Sequence, residues 1–265
     1  CHHIEDPTFD ATAAATNPRA RMRPVHRPPR TPVDRHPHCR WTVDIEPAAE
    51  ALPFPEAAER VGRSLAASVV LGPDVSPSYD GPFDPDFRLE SLPPAALERA
   101  LAEVCLQGHV LVHSFLLTLS RRWGDAVATE VGVHQFTGIA GVDALRLARA
   151  FDLDLAGVLD LHPAFLPAPY VERTIERDGD SIVFALQDCA ALEEVGGWSW
   201  PALLRTSSRP LEALVQAIDG RTRVTRSGEL QWTITVDPEA EPAKEPSEVT
   251  LTKFSTGADF TFARR

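Results

Sequence analysis

Two stretches of this 265-residue chain repeat each other, and that repetition constrains the fold more than any other feature. Residues 40–51 read RWTVDIEPAAEA and residues 231–242 read QWTITVDPEAEP. Upstream, ATNPRARM (15–22) aligns with AIDGRTRV (217–224). The offsets are 191 for the first pair and 202 for the second, so the first copy carries 11 more residues between its two matching strands. Two matches in the same order point to a duplicated module. On this basis residues 1–70 are the C-terminal part of a first module. Residues 71–88, LGPDVSPSYDGPFDPDFR, are a linker rich in Pro, Asp and Gly. Residues 89–265 are a complete second module. The chain starts at Cys1 and its single methionine is Met22, which points to a fragment or a processed chain.

The second module reads as helices followed by strands. Ser91 before Pro93 and Pro94 is a helix-start signal. Leu97, Leu101, Val104, Gly108, Leu111 and Phe115 follow at spacings of four and three, the expected buried stripe of a helix ending near Trp123 and Gly124. Further helices are expected over 125–136, 142–151, 155–161 and 210–218. The period then becomes strand-like. Hairpins are expected around Asp178-Gly179 and Ser227-Gly228, with two more strands at 249–254 and 260–264. The expected class is α+β, with the N-terminal helices of each module followed by an antiparallel sheet.

Composition narrows the function classes. The formal charge of −12 argues against nucleic-acid binding. The apolar run from Val104 to Leu119 is interrupted by Gln107, His109 and His113, so no membrane span is expected. No charged–apolar–small leader opens the chain. Four scattered cysteines do not make a disulfide framework, and a reducing cytoplasm is the expected compartment. There is no phosphate-binding Gly-rich loop, no nucleophile elbow and no dinucleotide fingerprint.

Three constellations carry chemistry. The first is the basic, His-rich start: Cys1, His2, His3, His26, His36, His38 and Cys39. Thiolate and imidazole suit zinc, although the spacing matches no standard zinc pattern. The alternatives are a solvated loop, or an anion site made by the five arginines from Arg19 to Arg30. The second pairs His109 and His113, one turn apart, with Glu130 and His134 on the next helix. Two antiparallel helices would bring the four together around a divalent metal such as zinc or manganese, with Glu130 as ligand or general base. The competing reading is two hydrogen-bonded core histidines. The third is Cys189 as nucleophile with His162 as its base, against a small buried Cys and a helix-ending His-Pro.

The order RRWGDAVATE, VDALRLARAF, LHPAF, a hairpin ending in Cys189, AIDGRTRV and a strand with Trp232 resembles a little-characterised bacterial family related to the L-2-amino-thiazoline-4-carboxylic acid hydrolases. The resemblance spans residues 89–237 and, as the end of a preceding copy, residues 1–46. Cys1, Asn17-Pro18-Arg19, Pro28-Pro29, His36-Pro37 and Cys39-Arg40-Trp41 fill the places of that family's loop residues. His26 and Arg27 stand where a further Cys is usual. In the second copy Leu203 replaces the first Cys, the loop has shrunk to a Ser-Gly turn, and Cys189 alone of the family's cysteines is kept. The resemblance implies hydrolytic opening of a C–N bond in a small cyclic amidine. The alternative is a non-catalytic module, binding a small molecule or sensing a metal, whose second copy is degenerate.

Overall fold

The computed structural model describes residues 17–54, 56–72 and 86–256. The candidate ligands Cys1, His2 and His3 and the strand expected at 260–264 lie outside the described residues. The chain divides into two compact units, with the boundary between Gly62 and Arg63. Residues 63–72 therefore fall in the second unit, and residues 71 and 72 open the expected linker.

The first unit carries strands β1 (Ala20–His26) and β2 (Arg40–Ile45), paired antiparallel, and a short helix α1 (Glu56–Val61). The second begins with helices α2 (Pro94–Trp123), α3 (Asp125–Phe151) and α4 (Leu155–Leu161). Strands β3 (Arg173–Asp178) and β4 (Ser181–Leu186) follow, then helices α5 (Trp200–Leu203) and α6 (Arg209–Gln216). Strands β5 (Thr222–Arg226) and β6 (Gln231–Val236) and helix α7 (Ser247–Thr256) complete it. The four strands form one antiparallel sheet in the order β3-β4-β6-β5. The class is α+β, with the long helices ahead of the sheet.

Local chemistry explains the joints. Pro94 sits at the first position of α2, where its missing N–H is no loss. Gly124, at φ +90°, turns the chain between α2 and α3, and its N–H bonds the Ser120 carbonyl at 2.8 Å. Asp154 caps α4 by accepting from the Gly157 N–H at 2.9 Å. In the β3–β4 turn Gly179 takes φ +57°. Trp232, Tyr170, Phe136, Phe165 and Phe184 are fully buried between the helices and the sheet.

The two repeated segments have the same architecture. Ala20 faces Ile45, Met22 faces Val43 and Pro24 faces Trp41 in the first hairpin. Their counterparts Thr222–Val236, Val224–Ile234 and Arg226–Trp232 face each other in the second. The turns ahead of β1 and β5 also agree: Arg19 N–H bonds Asn17 Oδ1 at 2.9 Å and Arg221 N–H bonds Asp219 Oδ1 at 2.8 Å. Arg21 reaches the Pro18, Ala20 and Glu50 carbonyls, as Arg223 reaches those of Gly220, Thr222 and Glu241. Helices α1 and α7 start at corresponding positions.

Four expectations are corrected. The helices expected at 125–136 and 142–151 are one, because Gly138 and Gly141 are close-packing positions against α7 rather than breaks. The strand expected at 249–254 is part of α7, which packs on that glycine face. On α2 the buried arc is Cys105, Leu106, His109, Val112, His113 and Leu116, while Leu101, Val104, Leu111 and Phe115 are exposed. Helical periodicity fixes the arcs but not which one meets the core. Finally, α2 is long and apolar enough to cross a membrane by length and composition, despite its polar interruptions. A third of its apolar stretch is buried inside the unit.

Candidate functional site

His109 and His113 share the inner face of α2. The His109 Nε2–H donates to the Leu166 carbonyl at 2.8 Å, and the ring lies 4.8 Å from that of Tyr170 and 5.6 Å from that of Trp200. Burial pushes its pKa down to about 4, so it is neutral at pH 7. His113 Nδ1 stands 3.2 Å from the Trp198 carbonyl and 3.9 Å from Glu194 Oε1. Glu194 is a hub that the sequence did not disclose. Its buried carboxylate accepts from the Leu65 and Ala66 N–H groups at 2.9 and 3.1 Å and from the Tyr170 hydroxyl at 2.9 Å. Burial, and then Glu194, push the Tyr170 phenol far up. Nothing in the run Glu193-Glu194-Val195 marks which acid goes inside. The one local signal is the pair Gly196-Gly197, both at positive φ, which turns the loop inward.

Glu130 and His134 do not join His109 and His113. Helix α3 meets α2 at Gly132, where an added Cβ would touch Leu116. Glu130 and His134 each lie two residues from Gly132, about 200° round the helix. Glu130 is exposed, and His134 pairs with Glu248 on α7 at 2.7 Å. The four-residue metal cluster is therefore not assembled.

Nor do Cys189 and His162 form a nucleophile–base pair. His162 is fully buried with both ring nitrogens used: Nε2–H donates to the Ala140 carbonyl at 3.3 Å and Nδ1 accepts from the Ala164 N–H at 3.2 Å. Burial holds its pKa down at about 4. Half-buried Cys189 has Tyr170 as its electrostatic neighbour.

In the first unit His36, His38 and Cys39 are exposed, and the His26 Nε2–H donates to the Pro37 carbonyl at 2.7 Å. Arg21 and Arg30 donate to backbone carbonyls. Among the described residues no three or more His, Cys, Asp or Glu side chains stand together as metal ligands.

A different arrangement stands out in the second unit. A cleft of about 660 Å³ opens at the start of α6, lined by Thr206, Ser207, Ser208, Arg209, Arg226, Lys244 and the α6 residues Glu212 and Gln216. Its lining is rich in donors. Ser208 Oγ accepts from the Trp232 indole N–H at 2.8 Å, and Ser207 Oγ accepts from the Arg209 N–H at 3.2 Å. Each hydroxyl thus keeps its own proton to donate. Arg226 is fixed by the Arg205, Gly228 and Glu229 carbonyls and lies over the Trp232 ring at 5.8 Å. Among the described residues no carboxylate forms an ion pair with it. Lys244 has no hydrogen-bond or ion-pair partner among the described residues. Arg209 is held by Glu248 at 2.7 Å. Burial would raise the Glu248 carboxyl, but its backbone hydrogen bond, His134 and Arg209 outweigh that and hold it at about 2.

Searches of protein-family models, of curated proteins and of solved structures each find no match to this chain.

Proposed function

We propose that the second unit is a non-catalytic binding module for a small acid, a carboxylate or phosphate, held in the cleft at the start of α6. The observation that carries this reading is the donor-rich lining. Arg226 and Lys244 bring two cations that pair with no carboxylate among the described residues, and Ser207 and Ser208 bring two hydroxyl protons, in a chain whose formal charge is −12. Charge-assisted hydrogen bonds to preplaced donors are the strong ones. Carbonyls and the Trp232 ring fix Arg226 before any ligand arrives, which lowers the ordering cost of binding. Glu212 is the single acid in the lining and opposes an anion more strongly the higher its charge, which favours a monocarboxylate over phosphate. A carboxylate is also the group carried by the substrate class to which the family resemblance points.

Binding is favoured over turnover for two reasons. The base needed by a thiol mechanism is already engaged at both nitrogens, and the carboxylate–histidine pair needed by a metal mechanism faces away from His109 and His113. The test is titration with inorganic phosphate and with acetate, following the Trp232 indole N–H by NMR, since it bonds Ser208 directly. Saturable shifts are expected, weakened by salt. Arg226→Gln and Lys244→Gln should each cost roughly tenfold in affinity. Equal binding by the double variant would refute the site.

A further inference from the structure

We infer that the outward face of α2 is a self-association surface, on which a second copy of this chain lays its own α2 antiparallel, crossing at Gly108. Leu101, Val104, Gly108, Leu111 and Phe115 recur at spacings of three and four along one stripe of the helix. This stripe is not the arc that meets the core. Its four large side chains are 40–65% exposed, while Cys105, Leu106, His109, Val112, His113 and Leu116 are buried. A contiguous exposed apolar patch of this kind marks an interaction site.

Gly108 shows what kind of partner fits. Glycine inside a helix costs stability relative to alanine, so its place needs a reason. For the other glycines of the two long helices the reason is internal. A Cβ on Gly132 would stand 3.0 Å from Leu116 and Leu203, and one on Gly138 or Gly141 would stand closer still to α7. A Cβ on Gly108 would meet nothing within 4 Å. What Gly108 leaves room for is the close approach of another helix, at the middle of the apolar stripe.

The stripe is its own complement. From Gly108 the apolar positions lie seven and four residues towards the N-terminus, and three and seven towards the C-terminus. A two-fold axis through Gly108 sets Leu101 of each copy against Phe115 of the other and Val104 against Leu111, as an isologous dimer requires. Charge selects the antiparallel sense. Glu103 pairs with Arg99 on its own helix, Glu98 stands near the start of α2, and Arg121 and Arg122 close its end. Antiparallel packing brings Glu98 of one copy within about one turn of Arg122 of the other and opposes the helix dipoles, whereas a parallel pair gathers like charges. A bilayer fits less well. Membrane-surface helices carry Lys and Arg beside the apolar face, but Glu98 and Gln107 flank this one, in a chain of charge −12.

The test uses the full chain. Sedimentation should show a monomer–dimer equilibrium in the micromolar range, as expected of a short helix–helix contact. Leu111→Lys, at an exposed position, should keep the helical circular dichroism and raise the dimer dissociation constant at least ~10-fold, because association would bury an unpaired charge. Glu98→Arg and Arg122→Glu should each weaken the dimer, and together should restore it. Orientation is read by cross-linking in a Cys1→Ser, Cys39→Ser, Cys189→Ser background. Mixed Leu101→Cys and Phe115→Cys chains should form a disulfide, identified by mass, at least ~10-fold faster than either chain alone. In the antiparallel pair the two copies of one such position lie about 21 Å apart, beyond disulfide reach.

A chain that stays monomeric throughout that range overturns the proposal. So does a dimer that survives Leu111→Lys, or one in which Leu101→Cys chains link fastest to each other. Monomers that bind phosphatidylserine vesicles, and lose that binding on Leu111→Lys, also overturn it and give the face to a membrane.

Discussion

At the residue scale, buried polar groups set the energetics of the second unit. Glu194 is the acceptor for three donors, and Glu194→Ala strands all of them. Leaving buried donors unsatisfied costs about 3 kcal/mol. The expected result is a lowered urea midpoint, with faster hydrogen exchange at Leu65 and Ala66, which Glu194 ties down. His109 and His162 give a pH dependence with a defined sign. Each has a folded pKa near 4 against an ordinary 6.5, so between these values the unfolded chain binds more protons. Their contribution is complete above pH 6.5 and is lost as pH falls towards 4, by roughly 3 kcal/mol each. His109→Gln keeps a donor for the Leu166 carbonyl but cannot titrate in this range. It should remove about half of the acid-side loss in urea midpoint, and an unchanged pH profile would refute the assignment.

At the scale of elements, the α3–α7 crossing is a close contact that also places Glu248 beside Arg209 at the cleft. A Cβ on Gly138 would stand 2.2 Å from Thr252 Oγ1 and 2.8 Å from the Glu248 carbonyl. Gly138→Ala must push α7 outward, at a cost of about 2 kcal/mol in thermal or urea unfolding. Adding Thr252→Ala should recover part of this, because the clash with the Glu248 backbone remains. This crossing is also where reading from sequence failed. The stretch 249–254 alternates well enough to pass as a strand, and Gly138 and Gly141 look like helix breaks. Both readings reverse once the glycines serve as a close-packing face, a relation between residues more than 100 positions apart.

At the scale of the whole molecule, the repeated hairpins share one device. Arg223 holds the start of β5 to the loop after β6 through the Gly220, Thr222 and Glu241 carbonyls, at 3.0–3.1 Å. Arg223→Ala should destabilise the second unit by about 2 kcal/mol, and Arg223→Lys should not rescue it, because an ammonium cannot span three carbonyls as a planar fork does. Arg21→Ala should loosen the first hairpin in the same way, seen as faster exchange in β1 and β2. A null effect at both positions would show that the shared fork does not contribute to stability.

The sequence by itself determined the hairpins, the glycine turn at Gly179, the first long helix and the α+β class. These follow from local periodicity and from residues whose backbone preferences act over a few positions. It also carried the correspondence between the two repeated segments, since the same residues impose the same register wherever they recur. The tertiary structure decided which arc of α2 faces the core and which member of the Glu193-Glu194 pair is buried. It also separated Glu130 and His134 from the histidines of α2, and gathered Arg209, Arg226 and Lys244 around one cleft. Those outcomes depend on which faces are desolvated when distant elements pack, and desolvation is a property of the assembled surface rather than of any stretch of chain.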